Sequence, residues 1–148
     1  MKSTLEKHFS NKPIMSPKTF CNTFPFHIIF DKQMIIKQSG TSIARVMPQI
    51  KRKDCKLTDI FNIIRPHIQL DFQSICSQIM SVFVLSTKTH NTNGTIKKTN
   101  HSHDHHDHQD GSNRFKGQMV YLKDKELILF QCSPVVMSLE DLNKYFWT

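Results

Sequence analysis

The stretch FPFHIIFDKQMIIKQSG, residues 24–40, contains two short apolar runs on either side of a polar turn. Runs of this length, rich in Ile and Phe, are typical of a β-hairpin, and Gly40 marks the end of the second strand. FKGQMVYL and LILFQC, residues 115–122 and 127–132, flank the four-residue turn KDKE. They predict a second hairpin nearer the carboxyl end of the chain.

Two helical signals follow the first hairpin. Thr41 or Ser42 can cap a helical turn that Pro48 stops. In LTDIFNII, residues 57–64, apolar side chains recur at i, i+3, i+4 and i+7. This spacing predicts a helix with one apolar face.

The strongest helical periodicity lies over residues 71–80, where Asp71 is a good N-cap. The apolar positions at helical spacing are Phe72, Ile75, Cys76, Ile79, Met80 and Phe83. The β-branched and aromatic residues of VFVLSTK, residues 82–88, predict a strand directly after this helix. Ser138 can cap a short helix at the end of the chain.

The elements therefore follow the order two strands, several short helices, one longer helix and three strands. This order predicts an α+β, PAS-like fold, an antiparallel sheet of about five strands with helices on one face. The predicted domain covers residues 20–135, with a polar, disordered insertion at about 89–113. Residues 1–19 are a predicted polar lead-in or linker, and residues 136–148 are predicted as a C-terminal helix or the start of a linker.

The charge distribution, the cysteine pattern and the lack of long apolar runs argue against a nucleic-acid-binding, secreted or membrane protein. The formal net charge is +8, but the basic residues are scattered and do not alternate with aromatic ones, so we expect no nucleic-acid partner. The four cysteines form no CxxC pair, and the amino-terminal residues contain no apolar signal segment. No run approaches the roughly 20 apolar residues of a membrane span. We therefore expect a cytoplasmic protein without membrane contact.

HSHDHHDHQD, residues 101–110, is the one stretch with the composition of a metal site. Its candidate ligands are His101, His103, His105, His106 and His108. Closely spaced histidines bind Zn²⁺ or Ni²⁺ weakly, whereas a structural zinc site needs ligands and supporting partners held in place. We expect a low-complexity insertion at an exposed turn and no metal site.

These segments, with ARVMPQI, IIRPHI and SQIMSVFVLSTK in order, resemble the PAS-like, haem-NO-binding-associated domain of soluble guanylate cyclases. RVMPQ, IRPH and CSP look more like the β subunit than the α subunit. The resemblance implies a regulatory module that pairs with an α-subunit PAS-like domain or with itself. It would relay signals between adjacent haem and coiled-coil domains. Haem, and Mg with GTP for the synthesis of cGMP by this lyase, would bind only to other domains of the parent.

The residues of this chain agree with a module that is not a catalyst. No carboxylate pair in a strand-and-turn setting and no glycine-rich phosphate loop is visible in the sequence. We expect no catalytic residue and no cofactor here, and contact surfaces on the exposed sheet face and on the outer face of the 71–80 helix. The interface and relay candidates are Phe24, Phe26, Ser74, Gln78 and Ser81. The alternative is a free-standing PAS-type sensor of a small ligand or metal.

Overall fold

A single antiparallel sheet organises the part of the chain that the computed structural model describes, residues 13–88 and 112–147. Its six strands lie in the order β2-β1-β6-β5-β4-β3. They are β1 (His27–Phe30), β2 (Ile36–Ser39), β3 (Phe61–Arg65), β4 (Val82–Thr87), β5 (Arg114–Leu122) and β6 (Leu127–Pro134).

Both predicted hairpins are confirmed. β1 pairs with β2, and β5 pairs with β6 over the eight residues from Phe115 to Leu122. In the first turn, Asp31 Oδ1 accepts hydrogen bonds from the backbone N–H groups of Gln33 (2.9 Å) and Ile35 (3.0 Å). This bonding closes the turn in which Met34 adopts a φ of 65°.

Helices and 3-10 turns connect the strands. The helices are α1 (Pro17–Thr23), α2 (Thr41–Val46), α3 (Leu57–Ile60), α4 (Phe72–Ser77) and α5 (Leu139–Phe146), with 3-10 turns at Pro48–Lys51 and Lys123–Lys125. The side chains of Ser16, Asp71 and Ser138 cap α1, α4 and α5 by accepting backbone N–H bonds, as predicted for the last two. The N-cap of α2 is Gly40 instead of Thr41 or Ser42.

The helix predicted over residues 57–64 is wrong beyond its first turn. α3 ends at Ile60, and β3 continues directly from Phe61. One helical turn followed by a strand buries Leu57, Ile60 and Phe61 just as a continuous helix would, so the apolar spacing could not separate the two. The β-branched Ile63 pairs with Leu85 of β4. The sheet therefore has six strands where about five were expected.

The predicted 71–80 helix is also shorter than expected. α4 ends at Ser77, and the backbone N–H of Gln78 bonds to the carbonyl of Ile75. Ile75 is fully buried, Ile79 packs against the core, and Met80 is 93% exposed. Met80 therefore does not belong to the apolar stripe on which the prediction placed it.

Alternating side chains divide the sheet into two faces. One face carries fully buried core residues, among them Ile28, Phe30, Phe83, Phe115 and Phe130. α4 and α5 pack on it through Phe72 against Tyr121 and Tyr145 against Phe115. The residues that α2 and α3 add to the same cluster are Ile43, Leu57 and Ile60. The α+β, PAS-like class is thus confirmed, with α2 to α5 on the core face.

Candidate interaction surface

The second face of the sheet is only partly covered, and we call it the open face. Its residues alternate with the core residues along each strand, as the strand register shows. Its apolar members include Ile29, Val82, Val84, Val120 and Leu129. Val82 is 47% exposed and Val120 is 44% exposed, although both lie within paired strands. Apolar side chains at these positions can pack against a second protein surface.

Positive charges border this apolar region. Arg65 and Lys116 stand on either side of Val84 in one row across β3, β4 and β5, because Val84 pairs with both. Arg114 lies two residues before Lys116 on β5, opposite Ser86. All three cationic side chains are exposed. The open face therefore combines an apolar region with a cationic end.

α1 covers the β1–β2 side of the open face. The ring of Phe20 packs edge-on against the ring of His27, with 4.9 Å between centroids, and His27 is fully buried. His27 Nδ1 lies 2.6 Å from the carbonyl oxygen of Phe24, which can only accept, so Nδ1 carries the proton. Nε2 then accepts from the amide group of Gln38 at 3.1 Å. His27 thus ties α1 to β1 and β2.

The interface candidates chosen from the sequence divide between surface and core. Phe24 caps the end of α1, is 38% exposed and packs against Phe20 with 4.9 Å between ring centroids. Phe26 is only 7% exposed and packs among Phe115, Tyr145 and Phe146. Its side chain therefore contributes to the core and offers no contact surface. The role of Phe24 at an interface stays a prediction.

The three polar candidates lie around α4, on the helix side of the sheet. Ser74 donates its hydroxyl to Asp71 Oδ2 at 2.9 Å, and Ser81 donates to Gln78 Oε1 at 3.2 Å. Their hydrogen bonds stabilise the first turn of α4 and the turn that follows it. Since α4 packs on the core face, these residues do not share a surface with the open face. Their relay role also stays a prediction.

An open groove of about 660 Å³ runs beside α4. It is lined by Lys32, Phe72, Gln73, Cys76, Ser77 and Tyr121. Burial raises the pKa of the Cys76 thiol, so this sulfur is less nucleophilic than an ordinary cysteine at neutral pH. The mixed lining offers an aromatic wall, an ammonium group and hydroxyls to a small molecule.

Two further expectations concern metals and membranes. No group of three His, Cys, Asp or Glu side chains with the geometry of a metal site occurs among residues 13–88 and 112–147. The candidate ligands between His101 and His108 lie outside the described residues. Within the described ranges, every helix is too short or too polar to cross a membrane.

The sequence predicted a contact surface on the exposed sheet face, but the apolar and cationic residues of that face were not among the predicted interface residues. Val82, Val120 and Lys116 sit at alternate strand positions, which could have been marked as one face once the strands were predicted. Arg65 could not have been found this way, because its segment was predicted as helix.

The chain matches the protein-family model described as "Heme NO binding associated" over residues 13–146. It is 30% identical over 144 residues to the guanylate cyclase soluble subunit beta-2 of Rattus norvegicus, covering 97% of this chain and 20% of the relative. It is 28% identical over 148 residues to the Homo sapiens beta-2 subunit, covering 96% and 21%. To the alpha-1 subunit of Canis lupus familiaris it is 33% identical over 149 residues, covering 90% and 19%.

The chain thus spans about a fifth of the length of the relatives it matches. These relatives are guanylate cyclases by name, and the matched portion corresponds to the associated domain alone. Alpha and beta subunits match with similar identity. The β-like assignment made from the sequence therefore stays a prediction.

Proposed function

Because the chain belongs to the haem NO binding associated family, we propose that it is a pairing and signal-relay module of a haem-dependent soluble guanylate cyclase. Its partner would be the corresponding domain of an α-type subunit or a second copy, as in a β-type subunit. Cyclase activity, haem, and Mg with GTP would belong to other parts of such an enzyme. The assembly would act in the cytoplasm.

The observation that carries the pairing role is the exposure of Val82 and Val120 on the open face. Val120 adjoins Leu129 of β6, which adjoins Ile29 of β1, so the apolar region extends across neighbouring strands. Burying such side chains against a partner is favourable by about 25 cal/mol for each Å² removed from water. A partner sheet or helix on this face would supply that burial.

The relay role is supported by the contacts that join α5 to the sheet and to α2. Its Tyr145 is buried against Phe115, and the Tyr145 hydroxyl donates to Asn113 Oδ1 at 2.8 Å. Arg45 of α2 donates to the backbone carbonyl of Tyr145 at 3.0 Å. A displacement of α5 by a neighbouring domain would therefore be transmitted to β5 through Phe115 and to α2 through Arg45.

Sedimentation velocity tests the pairing role. The full chain is mixed with the matching segment of the rat guanylate cyclase soluble subunit alpha-2, which is 32% identical to it. We expect a species of about twice the mass at micromolar concentrations, typical of a transient interface. Two monomers that sediment independently, with no self-association of either, would contradict the proposal.

The groove beside α4 favours one second candidate, a sensor of a small ligand. Phe72 and Tyr121 form its aromatic wall, and Lys32 offers a cation to an anionic group. Native mass spectrometry of the purified chain would reveal a retained molecule. A Gln73→Trp change, which fills the groove from an exposed position, should remove it if the groove is the site.

A further inference from the structure

The open face carries charge of one sign. None of the six strands contains Asp or Glu, whereas Arg65, Lys116 and Arg114 all expose their cationic groups on this face. No ion pair involves these three side chains among residues 13–88 and 112–147. The strands thus present an apolar region and three cations without a strand carboxylate.

We infer that the open face takes a partner whose matching surface combines apolar side chains with carboxylates, and that it discriminates against a second copy of this chain. The inference rests on the proposed pairing function and specifies the partner that this function favours. The apolar residues Val82, Val120 and Leu129 would pack equally well against either partner. The three cations of the open face would favour the carboxylate-bearing partner over a second copy of this chain.

The physical reason is the cost of burying cations that gain no counter-ion from the strands of a second copy. Each copy would bring three strand cations and no strand carboxylate to a shared interface, so these cations would lose water without gaining a counter-ion. Sheets that pack face to face lie about 10 Å apart, which is about one Debye length at 0.1 M salt. Where the cationic ends of two copies face each other, the like charges at that separation repel, and carboxylates at the matching positions would replace this repulsion with ion pairs.

Carboxylates in the adjoining turns do not cancel the effect. Asp31 pairs with Lys37, and Glu126 pairs with Lys32. The remaining turn carboxylate, Asp124, lies in the 3-10 turn beyond Leu122. Both turns join the strands near Val120 and Leu129, at the end away from Arg114. Within residues 13–88 and 112–147, the turn carboxylates therefore leave the charges of Arg65, Lys116 and Arg114 without an ion pair.

A charge-reversed copy of this chain serves as the probe. The double variant Arg114→Glu with Lys116→Glu keeps the apolar residues and gives the same face two carboxylates. Both positions are exposed, so the variant should fold, which its melting temperature will show. The matched control is Lys51→Glu with Lys53→Glu, which changes the net charge equally at exposed positions at the end of the 3-10 turn Pro48–Lys51 and just after it.

Binding is measured by titration of labelled chain at about 50 mM and about 500 mM salt. We expect the unmodified chain to bind the charge-reversed variant about tenfold more tightly than it binds itself at low salt, with a smaller ratio at high salt. Equal affinity for both, or the same gain with the control, would overturn the inference and leave the pairing function standing. Absence of any association, including with the alpha-2 segment, would overturn both.

Discussion

Gly117 of β5 lies against the backbone of Cys132 of β6 with no room for a side chain. A Cβ atom on Gly117 would fall 1.9 Å from the carbonyl oxygen of Gln131 and 2.6 Å from the Cα atom of Cys132. Neither atom belongs to a movable side-chain end, so any larger residue must separate the two central strands. In the same pairing, Lys116 lies opposite Ser133 and Val120 opposite Leu129, on the open face.

Gly117→Ala should therefore lower the free energy of unfolding by about 1–3 kcal/mol or more, the usual cost of overpacking a tight contact. Chemical denaturation of the two proteins measures the difference. The control is Gln118→Ala, at the neighbouring exposed position, which should change stability by less than about 0.5 kcal/mol. Equal effects of the two changes would show that the strands do not approach this closely.

Ile75 and Met80 test where the helix before β4 ends. Ile75 is fully buried, so Ile75→Ala should cost about 2–5 kcal/mol in unfolding free energy. Met80 is 93% exposed, and Met80→Ala should cost less than about 0.5 kcal/mol. Comparable losses would favour the longer predicted helix, with Met80 on its apolar stripe.

The histidine-rich segment should be dispensable for folding. Its flanks are joined by hydrogen bonds from Thr87 N–H to the Asn113 carbonyl (2.8 Å) and from Asn113 N–H to Thr87 Oγ1 (2.9 Å). Removing residues 101–110 shortens a connection whose closure free energy varies by only about 0.6 kcal/mol for each doubling of length. The melting temperature should change by no more than a few degrees. A larger fall, or weaker binding to the alpha-2 segment, would assign the segment a structural role.

Tyr145 should make the fold sensitive to alkaline pH. Burial, helped by the charge of Asp141, raises the pKa of Tyr145 from 10.0 to about 12. A raised pKa means that the folded state holds the proton more tightly, so this stabilisation is complete below pH 10 and is lost as the pH rises through about 12. The melting temperature of the unmodified chain should therefore fall more steeply between pH 10 and 12 than that of Tyr145→Phe.

The Phe variant also loses the hydrogen bond to Asn113, which should cost about 1 kcal/mol at neutral pH. Burial raises the pKa of Cys132 to about 12 as well, but this thiol is common to both proteins and does not affect their difference. Melting curves that shift in parallel from neutral pH to pH 12 would contradict the account of Tyr145.

The elements that could be predicted from sequence are those whose signals are local. The turn at Asp31 and the caps at Asp71 and Ser138 depend on a few adjacent residues, and both hairpins formed where expected. β3 could not be predicted, because Leu57, Ile60, Phe61 and Ile64 satisfy a helical spacing whether or not the helix continues past Ile60. Pairing with β4, which lies about 20 residues later in the chain, makes the segment after Ile60 a strand and not a helix.

The candidate surface was harder to predict than the fold. Alternation shows that Val82 and Phe83 face opposite ways but not which of them is buried, since both are apolar. Packing of α4 and α5 on one side of the sheet settles that choice. The alignment of Arg65 with Lys116 also depends on the irregular register between Ile63 and Arg65, which no local pattern reveals.

The central claim is that the open face is the surface through which this chain pairs. The most direct measurement is the dissociation constant for the alpha-2 segment, determined for Val82→Asp with Val120→Asp and for the control Leu139→Asp on α5, which is 79% exposed. Two buried carboxylates should weaken binding by about a hundredfold or more, while the control binds as the unmodified chain does. Unchanged binding by the double variant, with loss of binding by Leu139→Asp, would place the interface elsewhere and contradict the account.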